Sequence, residues 1–232
     1  MQYQTTWLDI VYEATFSTPA FRLARENIEV LSILFKHLAP QYSVRPSDMH
    51  VSGGTALSDV KARISLFTGN GVLEITADKF SATFTNAVGQ QDIETIKDCI
   101  ATSLSALTEW LPNLTYREHV FRITAFLSLL SDCQTATDDF LNGLMANKMV
   151  FRHEDFGASK VHYGVRADFE NSRENWIVGF DISPSLRGNT LITNSSARYQ
   201  GDSAITTLED KAAHIQSVFT SFLTTIGLVA RE

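Results

Sequence analysis

Cysteine is scarce: Cys99 and Cys133 are the only two in 232 residues. Two thiols in a chain of this length make no disulfide framework. A chain this long buries roughly 70–75% of its unfolded surface and needs neither cross-link nor metal to fold. Positive charge is also short. Nineteen Lys and Arg stand against 26 Asp and Glu, a net charge of −7, and the pI is near 5.4. Generic nucleic-acid binding needs a basic footprint that releases counterions, so no nucleic-acid partner is expected. The average hides no basic arm, since residues 1–115 carry 8 basic and 12 acidic groups and residues 116–232 carry 11 and 14. Long apolar runs are missing too. The richest, Ile123 to Leu130, falls far short of the ~20 residues of a spanning helix. The opening Met1-Gln2-Tyr3-Gln4-Thr5-Thr6-Trp7 has no basic stretch leading into an apolar core, so no signal peptide is read. The expectation is a soluble, reduced, cytoplasmic protein with no membrane partner.

What is present is periodicity. Leu8, Ile10, Tyr12, Ala14 and Phe16 alternate with Asp9, Glu13 and Thr15, the period of a half-buried strand. Thr18-Pro19 reads as a helix start, with Leu23, Asn27, Val30, Leu31, Leu34 and Leu38 on one side and Ala39-Pro40 as the end. A meander follows. Val60–Leu66 alternates, Thr68-Gly69-Asn70-Gly71 turns, Val72–Thr76 returns, and Phe80, Ala82 and Phe84 mark a third strand. Ile93, Ile96, Ile100, Leu104, Leu107 and Leu111 form a helical stripe closed by Pro112.

The second half repeats this order. Strands are expected at Phe121–Leu129, Val161–Phe169 and Trp176–Ile182, with a weaker one at Leu191–Ala197. A short helix is expected near 137–147. A last helix opens on a capping box, Thr206-Thr207-Leu208-Glu209, and stops at Gly227. The pattern predicts an α+β fold of duplicated strand-helix-meander-helix units, residues 1–112 and 113–232, joined near Pro112–Tyr116 or merged into one domain. The simplest packing is an antiparallel sheet with helices on one face.

The stretch Leu57–Phe67, the Gly-Asn-Gly hairpin and Val72–Phe80 resemble sheets of uncharacterised bacterial proteins with an export-chaperone (SecB)-like arrangement. The similarity spans residues 50–111, with an echo in 160–228. It departs from the chaperone, whose strands come first and helices last, and it carries over no functional residues. A chaperone-like activity is what the resemblance implies.

Candidate chemistry is sparse. His153-Glu154-Asp155 with His162 is the best metal-like cluster, but it lacks a fixed ligand spacing, so no metal or other cofactor is expected. Asp48–Thr55 combines Asp, His, Ser and a Gly pair, without a nucleophile elbow or a phosphate loop, and reads as a flexible connector. The polar strand positions are more promising. Asp9, Glu13, Lys61, Arg63, Arg122, His162, Arg166, Asp168 and Asp181 all fall opposite the apolar parity. In one sheet they form a mixed-charge face, with Arg63 and Arg166 as clamps for carboxylate or phosphate. Arg63, Arg122, His162, Arg166 and Asp168 are the expected binding residues. The expected activity is non-enzymatic binding of a polar ligand, protein or peptide by this face or by a strand edge, in a chain that can also form a homo-oligomer. The alternative is a small-molecule enzyme, metal-assisted near His153 and His162.

Overall fold

A computed structural model describes residues 1–53, 59–88, 93–131, 136–145, 164–185 and 188–231. Alternating polarity extends over β1 (Gln2–Phe16), which buries Ile10, Tyr12, Ala14 and Phe16 along one side. Helix α1 (Leu23–Tyr42) follows. It begins later than Pro19, because the Ala20 amide is bonded to the Ala77 carbonyl and the chain is still turning there. It also runs through Pro40, and ends at Ser43 in the left-handed region. The ring removes one amide bond, which is tolerated so close to a helix end. The segment expected as a loop holds β2 (Met49–Ser52), paired to β3 (Lys61–Leu66). The meander continues through β4 (Gly71–Ile75) and β5 (Lys79–Phe84) to α2 (Ile93–Trp110). In the β3–β4 turn the positive φ values fall on Phe67, Thr68 and Gly69, while Asn70 lies at φ −80°.

The second half places β6 (Tyr116–Leu129), α3 (Ala136–Met145), β7 (Val165–Asn171), β8 (Trp176–Pro184), β9 (Thr190–Gln200), α4 (Leu208–Thr225) and β10 (Val229–Ala230). The weak strand of the sequence is thus eleven residues long and central. Its Ser195, Ala197 and Tyr199 are buried, so burial between neighbours overrides the low strand preference of Asn and Ser. The α4 cap is one residue later than expected: Thr207 Oγ1 accepts the Asp210 amide at 3.0 Å.

The strands join in one sheet, in the order β2-β3-β4-β5-β1-β6-β9-β8-β7. Its pairings are antiparallel, apart from the short parallel contact of β10 with β1. Strands β1 and β6 form the seam between halves, from Tyr3 opposite Leu129 to Phe16 opposite Tyr116. The fold is α+β with the helices on one face. On the covered side Tyr12, Phe80, Phe84, Phe180 and Tyr199 are fully buried, with Leu34 and Leu38 of α1 and Ile96 of α2. Phe180 stacks on Phe222 of α4, with ring centroids 5.0 Å apart. Cys99 is buried in α2, and burial pushes its thiol up to about 12. Among the described residues no helix is long and apolar enough to cross a membrane.

Candidate functional site on the open face of the sheet

Because side chains alternate, the residues between the buried positions share the face without helices. The charges there are largely paired within the face. Glu13 bonds Lys79 of β5 and Arg122 of β6, the latter at 2.6 Å. Burial alone would raise the Glu13 carboxyl, but the Lys79 and Arg122 bonds outweigh it and hold it below the usual carboxylate range. Lys61 bonds Glu74 at 3.2 Å, Arg198 bonds Glu118 at 3.4 Å, and Arg166 Nε donates to Asp168 at 3.1 Å. Asp9 accepts from the Trp7 indole and the Asn86 amide, both at 2.8 Å.

Three of the five expected binding residues meet in one place. Arg122, Arg166 and Asp168 line a solvent-open depression of about 280 Å³, together with Asp181, Asn194 and Ser196. Its floor is Gly179, opposite Asp168 on one side and Ser196 on the other. A Cβ at Gly179 would lie 2.5 Å from Asp168 Oδ1, so the carboxylate occupies the space a side chain would take. Asp181 is exposed and forms no ion pair among the described residues. Arg63 lies on the same face but on β3, in the other half of the sheet. His162 and His153 lie outside the described residues. Among those described, no group of three or more His, Cys, Asp or Glu is placed to hold a metal ion.

Gly179, Asn194 and Ser196 escaped the sequence reading. One signal was available: Gly179 is a lone glycine at the polar parity of an otherwise well-filled strand, where a close approach of other groups is expected.

The two halves explain the depression. Hairpins β3–β4 and β7–β8 have equal loops, with Leu66 opposite Gly71 and Asn171 opposite Trp176. Matching these pairs makes Lys61 equivalent to Arg166, Arg63 to Asp168, and Glu74 to Gly179. The next strands carry the match onward. Gly71 pairs Phe84 and Trp176 pairs Tyr199, so Ser81 matches Ser196 and Lys79 matches Asn194. Phe84 pairs Ile10 and Tyr199 pairs His119, so Glu13 matches Arg122. The first half fills this region with its own carboxylates, Glu74 on Lys61 and Glu13 on Lys79. The second half has Gly179 and Arg122 at the two carboxylate positions and a carboxylate, Asp168, at the Arg63 position, which takes up the space over Gly179 and leaves the depression open beside it.

No family model matches this chain, and no curated protein matches it. Among solved structures, Methanococcus jannaschii TBP is similar over 97% of this chain and 98% of its own, with 12% identity and a TM-score of 0.36.

Proposed function

We propose that this protein is a non-enzymatic binding module that takes a polar ligand or peptide on the open face of its sheet, at the depression over Gly179. The observation that carries the reading is the convergence of Arg122, Arg166 and Asp168 from strands that lie apart in sequence around a floor without a side chain. Each arginine engages one internal carboxylate, Glu13 for Arg122 and Asp168 for Arg166. A guanidinium carries five donors, so each is oriented and still has N–H groups to offer. The test compares capture from native lysate by the wild type and by Arg122→Ala/Arg166→Ala, read by mass spectrometry. The partner captured by the wild type should fall at least about tenfold, as expected for loss of charge-assisted bonds. Thermal stability should fall by no more than about 1 kcal/mol, because both guanidinium groups are more than half exposed and the half-buried Glu13 keeps Lys79 as its partner. Equal capture by the variant overturns the reading.

A further inference from the structure

We infer that the depression over Gly179 takes a zwitterionic group: a carboxylate held between Arg122 and Arg166, with a cationic nitrogen close by on Asp181. The inference rests on the binding role proposed above and names its ligand class.

The first half of the molecule displays the carboxylate part of this chemistry with its own side chains. Glu74 rises from β4 and bonds Lys61 at 3.2 Å, and Glu13 rises from β1 to bond Lys79. At the matching places the second half keeps a base, Arg166, deletes one carboxylate to Gly179 and replaces the other by Arg122. A carboxylate entering from solvent therefore meets no counterpart of Glu74 or Glu13 and can enter the depression beside the Asp168 carboxylate, which itself lies where a Gly179 side chain would project. It also finds two guanidinium forks where the first half has Lys61 and Glu13, and the guanidinium is the side chain best shaped for bidentate carboxylate bonding. The Ser196 hydroxyl borders the same depression.

Asp181 sets the second half of the preference. It lies directly opposite Arg166 on β7 and Asn194 on β9, yet Arg166 turns to Asp168 instead. Its carboxylate is exposed and unpaired among the described residues, at the wall of the same depression. The charges lining the space are two arginines and two aspartates. A simple dianion would meet Asp181 unfavourably, whereas a ligand carrying both signs satisfies the arginines and the aspartate together. The volume of about 280 Å³ suits one amino-acid-sized group. Two sources share that chemistry: a free basic amino acid, and the basic C-terminal residue of a peptide.

The test titrates isotope-labelled full-length protein with three probes and follows the Gly179 and Ser196 amide resonances. The probes are L-lysine, acetyl-alanyl-lysine and L-lysine methyl ester, which lacks the carboxylate. Saturable shifts with L-lysine alone identify a free amino acid as the source, and shifts with the acetylated dipeptide identify a peptide end. Either supports the inference, provided the ester binds at least about tenfold more weakly. Arg166→Ala and Asp181→Asn should each weaken binding about tenfold. Gly179→Glu should abolish it, by reinstating on β8 the carboxylate that β4 carries. That variant must displace the Asp168 carboxylate, so unfolding scans accompany it, and Arg166→Ala decides the matter should it fold poorly. Equal shifts with the ester, or no shift with either carboxylate-bearing probe, overturn the inference. The lysate experiment separates the two failures. Arginine-dependent capture without probe binding sinks only the zwitterion, and arginine-independent capture sinks the binding face itself.

Discussion

His119 sits on the covered side of the sheet, where its Nδ1 and the Tyr12 hydroxyl share a hydrogen bond of 2.7 Å. Burial, reinforced by the Lys211 ammonium, lowers its pKa to about 4. The unfolded ring titrates near its ordinary value, about 6.5. The unfolded chain therefore binds the proton more readily, so the stability this site contributes is full above about pH 6.5 and is lost as pH falls towards 4. The loss reaches about 3 kcal/mol at the acid end. His214, also lowered chiefly by burial, acts in the same direction. We predict that His119→Gln, which keeps an acceptor for Tyr12 but cannot titrate, flattens the fall in melting temperature between pH 6.5 and 4.5. An unchanged slope would show that His119 does not carry this dependence. Site residues were legible at this scale only as parity. The alternation around Arg122, Arg166 and Asp168 put them on the polar face, but nothing in their own neighbourhoods showed that β6, β9, β8 and β7 lie side by side. The depression arises from that pairing.

At the scale of the element, alternation and helical stripes located most strands and helices, because burial of one face imposes those periods directly. Ends and short edges were harder. Proline 40 looked like a stop but lies inside α1, and β2 is too short and too exposed to show a pattern. The α4 cap turns on a one-residue choice between neighbouring threonines. Thr207 accepts the Asp210 amide, whereas the Thr206 contribution is its backbone carbonyl, which takes the Lys211 ammonium. Thr207→Ala should therefore cost about 1 kcal/mol, a drop in melting temperature of about 3 °C for a chain of this size. Thr206→Ala should change stability by less than about 0.5 kcal/mol. Equal effects in the two variants would contradict the cap assignment.

For the whole molecule, the expectation of matched units in one layered arrangement holds. The sheet order runs outward in the same sense from the β1–β6 seam, and Tyr12 opposite Phe121 is the pair at which the matched positions coincide. The chain ends meet beside that seam. The Met1 ammonium donates to the Gly227 carbonyl at 2.5 Å, and the Arg231 amide to the Tyr3 carbonyl at 2.9 Å. A permuted chain that begins at Asn113, joins Glu232 to Met1 through a short glycine linker and ends at Pro112 should fold with a melting temperature within about 5 °C of the natural order. Failure of that chain to fold would mean that the link between halves is needed for more than connection.

The seam also has a consequence for synthesis. Every hydrogen bond between β1 and β6 spans about half of the chain, and loop closure over such distances is slow. On the ribosome β1 emerges first, and β3, β4 and β5 can gather against it before β6 has been translated. During that interval the newborn first half carries a long bare strand edge of the kind that templates pairing with another chain. Neighbouring ribosomes on one message bring two such edges close together, so the moments before β6 appears are when this polypeptide is most exposed to zipping onto a copy of itself.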